Sequence, residues 1–76
     1  MKIEIFGTGC AKCKTLYENA QKALAELGKT GEVSKVEDIN QITGAGVMFT
    51  PAIAINGQVK SAGKLLSIEE IKKLIA

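Results

Sequence analysis

The chain has no histidine and no tryptophan, a single proline, two cysteines, and as aromatics only two phenylalanines and one tyrosine. Without histidine it lacks the commonest general base near neutral pH and the commonest metal ligand. With so few aromatic rings its core has to be aliphatic. A strong excess of one charge sign is missing too: ten basic and eight acidic residues are interleaved for a net charge of +2, which leaves no basic stripe for nucleic acid. No apolar run approaches the roughly 18 residues a membrane span needs. The opening Lys2-Ile3-Glu4-Ile5-Phe6 alternates like a strand and does not read as a signal peptide. These absences predict a soluble, cytoplasmic, monomeric protein with no membrane and no nucleic-acid partner. Seventy-six residues make one domain, 1–76. A chain this short buries a modest share of its surface, but 46% hydrophobic residues spread along its length supply a core.

The alternation of residues 2–6 ends at Gly7-Thr8-Gly9. From Ala11 the period becomes helical: Cys13, Leu16, Tyr17, Ala20, Leu24 and Leu27 share a face, with charged residues mostly opposite, and Gly28 suits the cap that ends such a helix. A second strand is predicted over 33–37. Asp38 then opens a short helix in a loose Asp-x-x-Gln capping box, with Ile39 and Ile42 inward and Gly44 and Gly46 stopping it. Strands at 51–55 and 58–62 flank Asn56-Gly57, a pair suited to the type I′ hairpin turn, which needs positive φ at both positions. Ser67-Ile68-Glu69-Glu70 is a regular capping box, opening a last helix with Ile68, Ile71, Leu74 and Ile75 inward. Lys72 and Lys73 read as a solvated helix end that complements the dipole. The order is βαβαββα, an α/β class fold. It predicts a four-stranded mixed sheet with the first two strands parallel, the last two an antiparallel hairpin, and helices on both faces. Right-handed crossovers put the first and last helices on the same face.

The chemistry centres on Gly9-Cys10-Ala11-Lys12-Cys13. Two cysteines three positions apart are not a scaffold of structural disulfides; in a reducing compartment such a pair is more often catalytic or metal-binding. Where a strand gives way to a helix, the first sulfur lies near the helix's unpaired N–H groups and positive partial charge, which favour a thiolate. Lys12 adds a full positive charge that salt will screen. Cys13 is one turn further in and better shielded. The spacing therefore suggests an exposed attacking thiol, Cys10, and a buried resolving thiol, Cys13. The same spacing could also hold a soft metal such as Cu(I).

Strand, Gly-x-Gly-Cys-x-x-Cys, helix, and then Gly46-Val47, Thr50-Pro51-Ala52, a hairpin and Gly63 resembles the thioredoxin superfamily over essentially the whole chain. More narrowly it resembles the small thioredoxin-like proteins of the redox-active disulfide protein 2 type. That resemblance implies a minimal thioredoxin fold and a dithiol–disulfide oxidoreductase acting on protein disulfides through a Cys10–Cys13 pair, with no cofactor and no metal. It implies a cis bond before Pro51, packed against the disulfide, and a Thr50 backbone that pairs with substrate. A flavoprotein thioredoxin reductase would be the electron donor. It also suggests Glu4 as a modulating residue, since thioredoxins place a buried acid six residues before the first cysteine; the loop glycines make that alignment ambiguous, and a solvent-facing glutamate in a strand with alternate polar residues is the plainer reading. Tyr17 reads as core. There are departures: thioredoxins carry Trp at the position of Gly9 and Gly-Pro where this chain has Ala11-Lys12, and the intervening pair influences redox potential. Of the Gly-Gly…Asp element with which glutaredoxins grip glutathione, only Gly63 is present.

The alternative is a metal (Cu) carrier of the heavy-metal-associated type, whose strand, Gly-x-x-Cys-x-x-Cys and helix the first 36 residues resemble. Three features tell against it: Thr8 where such domains place Met, a closing helix where they end in a strand, and Thr50-Pro51 with its hairpin.

Overall fold

Strand β1, Lys2–Phe6, is built from the alternation just described, and it lies inside the sheet. A computed structural model describes residues 1–9 and 11–76. Six elements follow β1: α1 (Ala11–Leu27), β2 (Glu32–Val36), α2 (Ile39–Gly44), β3 (Ala52–Ile55), β4 (Gln58–Ala62) and α3 (Ile68–Ile75). The sheet order is β2-β1-β3-β4. β1 runs parallel to β2, with Ile5 opposite Lys35. It runs antiparallel to β3, pairing Ile5 with Ile53 and Phe6 with Ala52. β3 and β4 form the antiparallel hairpin.

All four residues of β3, Ala-Ile-Ala-Ile, are buried because both faces of this inner strand are covered. One face carries Ile3, Ile5, Ile53 and Ile55, packed against Leu16, Ala20, Ala23 and Leu24 of α1 and Ile71 and Ile75 of α3. The other carries Phe6, Ala52 and Ala54, packed against Ile42 of α2 and Val47. Large residues meet the two long helices, and alanines let the short helix approach closely. Among the described residues no helix is long and apolar enough to cross a membrane.

Local chemistry sets the element ends. At the end of α1, Gly28 N–H donates to Ala25 O and Lys29 N–H to Leu24 O, the two bonds of a Schellman cap. Asp38 accepts from the amides of Asn40 and Gln41 at the head of α2. Asn56 (φ 51°) and Gly57 (φ 85°) turn the hairpin, both with the positive φ that a type I′ turn requires. Ser67 and Glu70 exchange side-chain and backbone bonds at 3.2 and 3.0 Å at the head of α3.

Three expectations need correcting. Ile39 is not inward: it is 66% exposed and borders the groove with Thr8 and Thr50, while in this six-residue helix Ile42 alone packs on the sheet. Leu74 is at the margin, 38% exposed, since the buried stripe of α3 runs through Ile71 and Ile75 and Leu74 lies about 100° around the helix from Ile75. Lys72 is not simply solvated: its ammonium reaches Glu26 of α1 at 3.0 Å as well as Glu69 at 3.4 Å.

Candidate functional site

The C-terminal ends of β1 and β2, the head of α1 and the start of β3 converge at one end of the sheet. Gly7 continues β1 by donating its amide to Val36 O at 3.0 Å. The register that pairs Phe6 with Ala52 brings Pro51 opposite Gly7. On the α1 side, Cys13 is 6% exposed. Its sulfur occupies the volume that a side chain on Gly7 would take. The first turn of α1 contains no acid and two lysines, Lys12 and Lys14, both exposed, so dipole and side chains act together in favour of negative charge there. Cys10 lies outside the described residues.

A cavity of about 110 Å³ opens beside Cys13, lined by Ile5, Gly7, Gly9, Lys14, Lys35 and Glu37. Lys35 also sits over the ring of Tyr17, 4.7 Å from its centroid, which accounts for Tyr17 as a half-buried packing residue. Two cations and one carboxylate therefore border the cavity. Lys35 and Glu37 line this cavity, and the sequence reading did not single them out. Their signal was the parallel pairing of β2 with β1, which puts residues 33, 35 and 37 on the α1 side.

Glu4 is placed elsewhere. Strand alternation sets it with Phe6 on the α2 face, half-buried, whereas Ile3, Ile5 and Gly7 face α1. The β1 residue that borders the Cys13 cavity is Ile5.

At the start of β3, the peptide bond from the exposed Thr50 to the buried Pro51 is cis. Pro51 O accepts from Gly63 N–H at 2.9 Å, which ties the loop to the end of β4. Thr8 and Thr50 border a groove with Ile39, Thr43, Val47 and Met48. Met48 is 85% exposed and Phe49 66%, so large apolar surface stands beside the thiol end of the sheet. The structure thus gathers Cys13, Lys12, Thr50 and Pro51 at one end, with Glu4 further back along β1 on the α2 face.

Comparison with known proteins agrees with this architecture. The family model described as a thioredoxin domain matches residues 1–76. A protein named thioredoxin from Methanothermobacter thermautotrophicus is 45% identical over 76 residues, covering 100% of this chain and 99% of its own. Another of that name from Methanocaldococcus jannaschii is 48% identical over 71 residues, covering 93% of this chain and 81% of its own. A sheet of order β2-β1-β3-β4 with the thiol at the head of α1, matched over its full length, places the chain in the thioredoxin family, as a thiol–disulfide oxidoreductase in kind.

Proposed function

We propose that this protein reduces disulfides in other proteins by cycling Cys10 and Cys13 between dithiol and disulfide. The observation that carries the reading is the seat of Cys13: a nearly buried thiol against Gly7, the residue that the β1–β3 register sets opposite Pro51. Its chemistry follows from thiol exchange. The Cys10 thiolate attacks a substrate disulfide, forming a mixed disulfide and expelling one substrate thiolate. Cys13 then gives up its proton, attacks the Cys10 sulfur, and expels the second substrate thiolate as the Cys10–Cys13 bond forms. Two electrons pass from the protein's dithiol to the substrate, and no metal or organic cofactor takes part.

The groove from Thr8 past Ile39 to Met48 and Thr50 supports a polypeptide substrate, since an extended chain needs apolar contact on either side of its disulfide. Thr50 is the residue whose backbone pairs with that chain, and Lys12 favours the attacking thiolate. A flavoprotein thioredoxin reductase restores the dithiol, and the protein works as a cytoplasmic monomer.

The test is insulin reduction by the purified protein with dithiothreitol as electron source. Wild type should accelerate it, Cys10→Ser should abolish it, and Cys13→Ser should accumulate mixed disulfides through Cys10. Cys10 should alkylate at neutral pH well before Cys13. Stoichiometric Cu(I) binding with no disulfide reduction would refute the proposal, and faster alkylation of Cys13 than Cys10 would refute the roles.

A further inference from the structure

Gly7 is buried at the end of β1. A Cβ added there would collide with Cys13 Sγ and lie 2.8 Å from Cys13 Cβ. The backbone does not itself demand glycine, because Gly7 is not among the residues with positive φ. The demand is one of space.

Neither side can yield easily. Gly7 is held in register by its bond to Val36 O. Cys13 Cβ is fixed by α1, which is anchored one turn on by the fully buried Leu16. The sulfur has a single torsion, and one of its three staggered positions is rare in helices. We propose that Gly7 is the positioning residue for the resolving sulfur: by carrying no side chain it lets Cys13 Sγ lie against the end of β1, in place to attack Cys10.

The proposal rests on the roles given to Cys10 and Cys13 above. It adds a separation of steps. Attack by Cys10 makes and breaks no bond to the Cys13 sulfur, whereas resolution requires that sulfur to approach Cys10 in line with the bond that breaks. A misplacement of about 1 Å costs such a step on the order of 10²-fold. A side chain at position 7 should therefore slow resolution and spare attack.

Ellman's reagent separates the two steps in the full-length protein. Attack on this aromatic disulfide releases one equivalent of thionitrobenzoate and leaves the mixed disulfide; closure of Cys10–Cys13 releases the second. For Gly7→Ala the first phase should stay within about twofold of wild type while the second slows by about 10²-fold. A general loss of packing would lower thermal stability without dividing the phases in this way. Two unchanged phases in a folded Gly7→Ala protein would overturn the proposal. Where Gly7→Ala does not fold, Gly7→Ala/Cys13→Gly lacks both touching atoms and should recover the stability of Cys13→Gly; failure to recover it would overturn the proposal too. A wild-type protein that releases a single equivalent would refute the cysteine roles themselves, and the inference with them.

Discussion

Gly63→Ala tests how the wall of the site is held. Gly63 follows β4 with φ 77°, donates to Pro51 O at 2.9 Å, and would bring an added Cβ within 2.9 Å of Phe49 Cβ. Two costs add. A non-glycine residue in the left-handed region loses about 1–2 kcal/mol. The contact with Phe49 falls on an atom next to the main chain, so relief has to move Phe49 and with it Thr50 and Pro51; overpacking of that kind costs about 1–3 kcal/mol. The sum is about 2–5 kcal/mol. At about 4–8 °C per kcal/mol for a domain of this size, Tm should fall by at least about 8 °C. Gly57→Ala is the control: its φ is 85° and an added Cβ meets nothing within 4 Å, so it bears the backbone cost alone. It also lies at the far end of the sheet, where Asn56 N–H bonds Lys2 O. Urea and thermal unfolding followed by circular dichroism give the difference between the two variants, expected at about 1–3 kcal/mol. Insulin reduction, measured where both are folded, should drop for Gly63→Ala and hold for Gly57→Ala. Equal stability losses would refute the tight contact, and undiminished reduction by a destabilised Gly63→Ala would refute its link to the site.

Lys12→Glu should slow alkylation of Cys10 several-fold at pH 7 and low ionic strength, and 1 M salt, with a Debye length of about 3 Å, should close most of the gap. Ser67→Ala removes one arm of the α3 capping box and should cost about 1 kcal/mol, read as a Tm decrease of about 4–8 °C. The Glu70 carboxyl is held below the ordinary glutamate range, first by its bond from the Ser67 backbone N–H. Its contribution is therefore present above the ordinary glutamate pKa and lost as pH falls through the depressed one, so Glu70→Gln should show a shallower acid limb in a Tm–pH series. Lys72 is raised above the ordinary lysine range, first by its hydrogen bond to Glu26. That contribution is complete below the ordinary lysine pKa and lost as pH rises through the raised one, so wild type should converge on Lys72→Met only at strongly alkaline pH.

Features that depend on a few neighbouring residues were legible in the sequence. The Asn56-Gly57 turn, the Ser67–Glu70 box, the Asp38 cap and the period of α1 each arise from groups within about one turn of one another. Propensity and capping act at that range, so the order of seven elements could be read without knowledge of packing. The mixed sheet was legible at one remove, because parallel crossovers have a single common hand. The Cys10–Cys13 spacing at a strand-to-helix junction pointed to thiol chemistry on the same local grounds.

What lies across from what was decided by the tertiary structure. Ile39 and Ile42 have equivalent periodicity, yet only Ile42 has a sheet beneath it. Glu4 and Ile5 are adjacent in sequence, yet pleating sends one to the α2 face and the other to the Cys13 cavity. Lys35 and Glu37 reach that cavity because β2 pairs with β1 in one register; a slip by one residue would turn both away. Gly7 read as the end of a strand, and only the packing of α1 onto β1 makes its missing side chain the seat of a sulfur six residues later. Local sequence carries the conformation of each segment, whereas facing and volume depend on pairs of segments, and those relations exist only once the sheet and helices have packed.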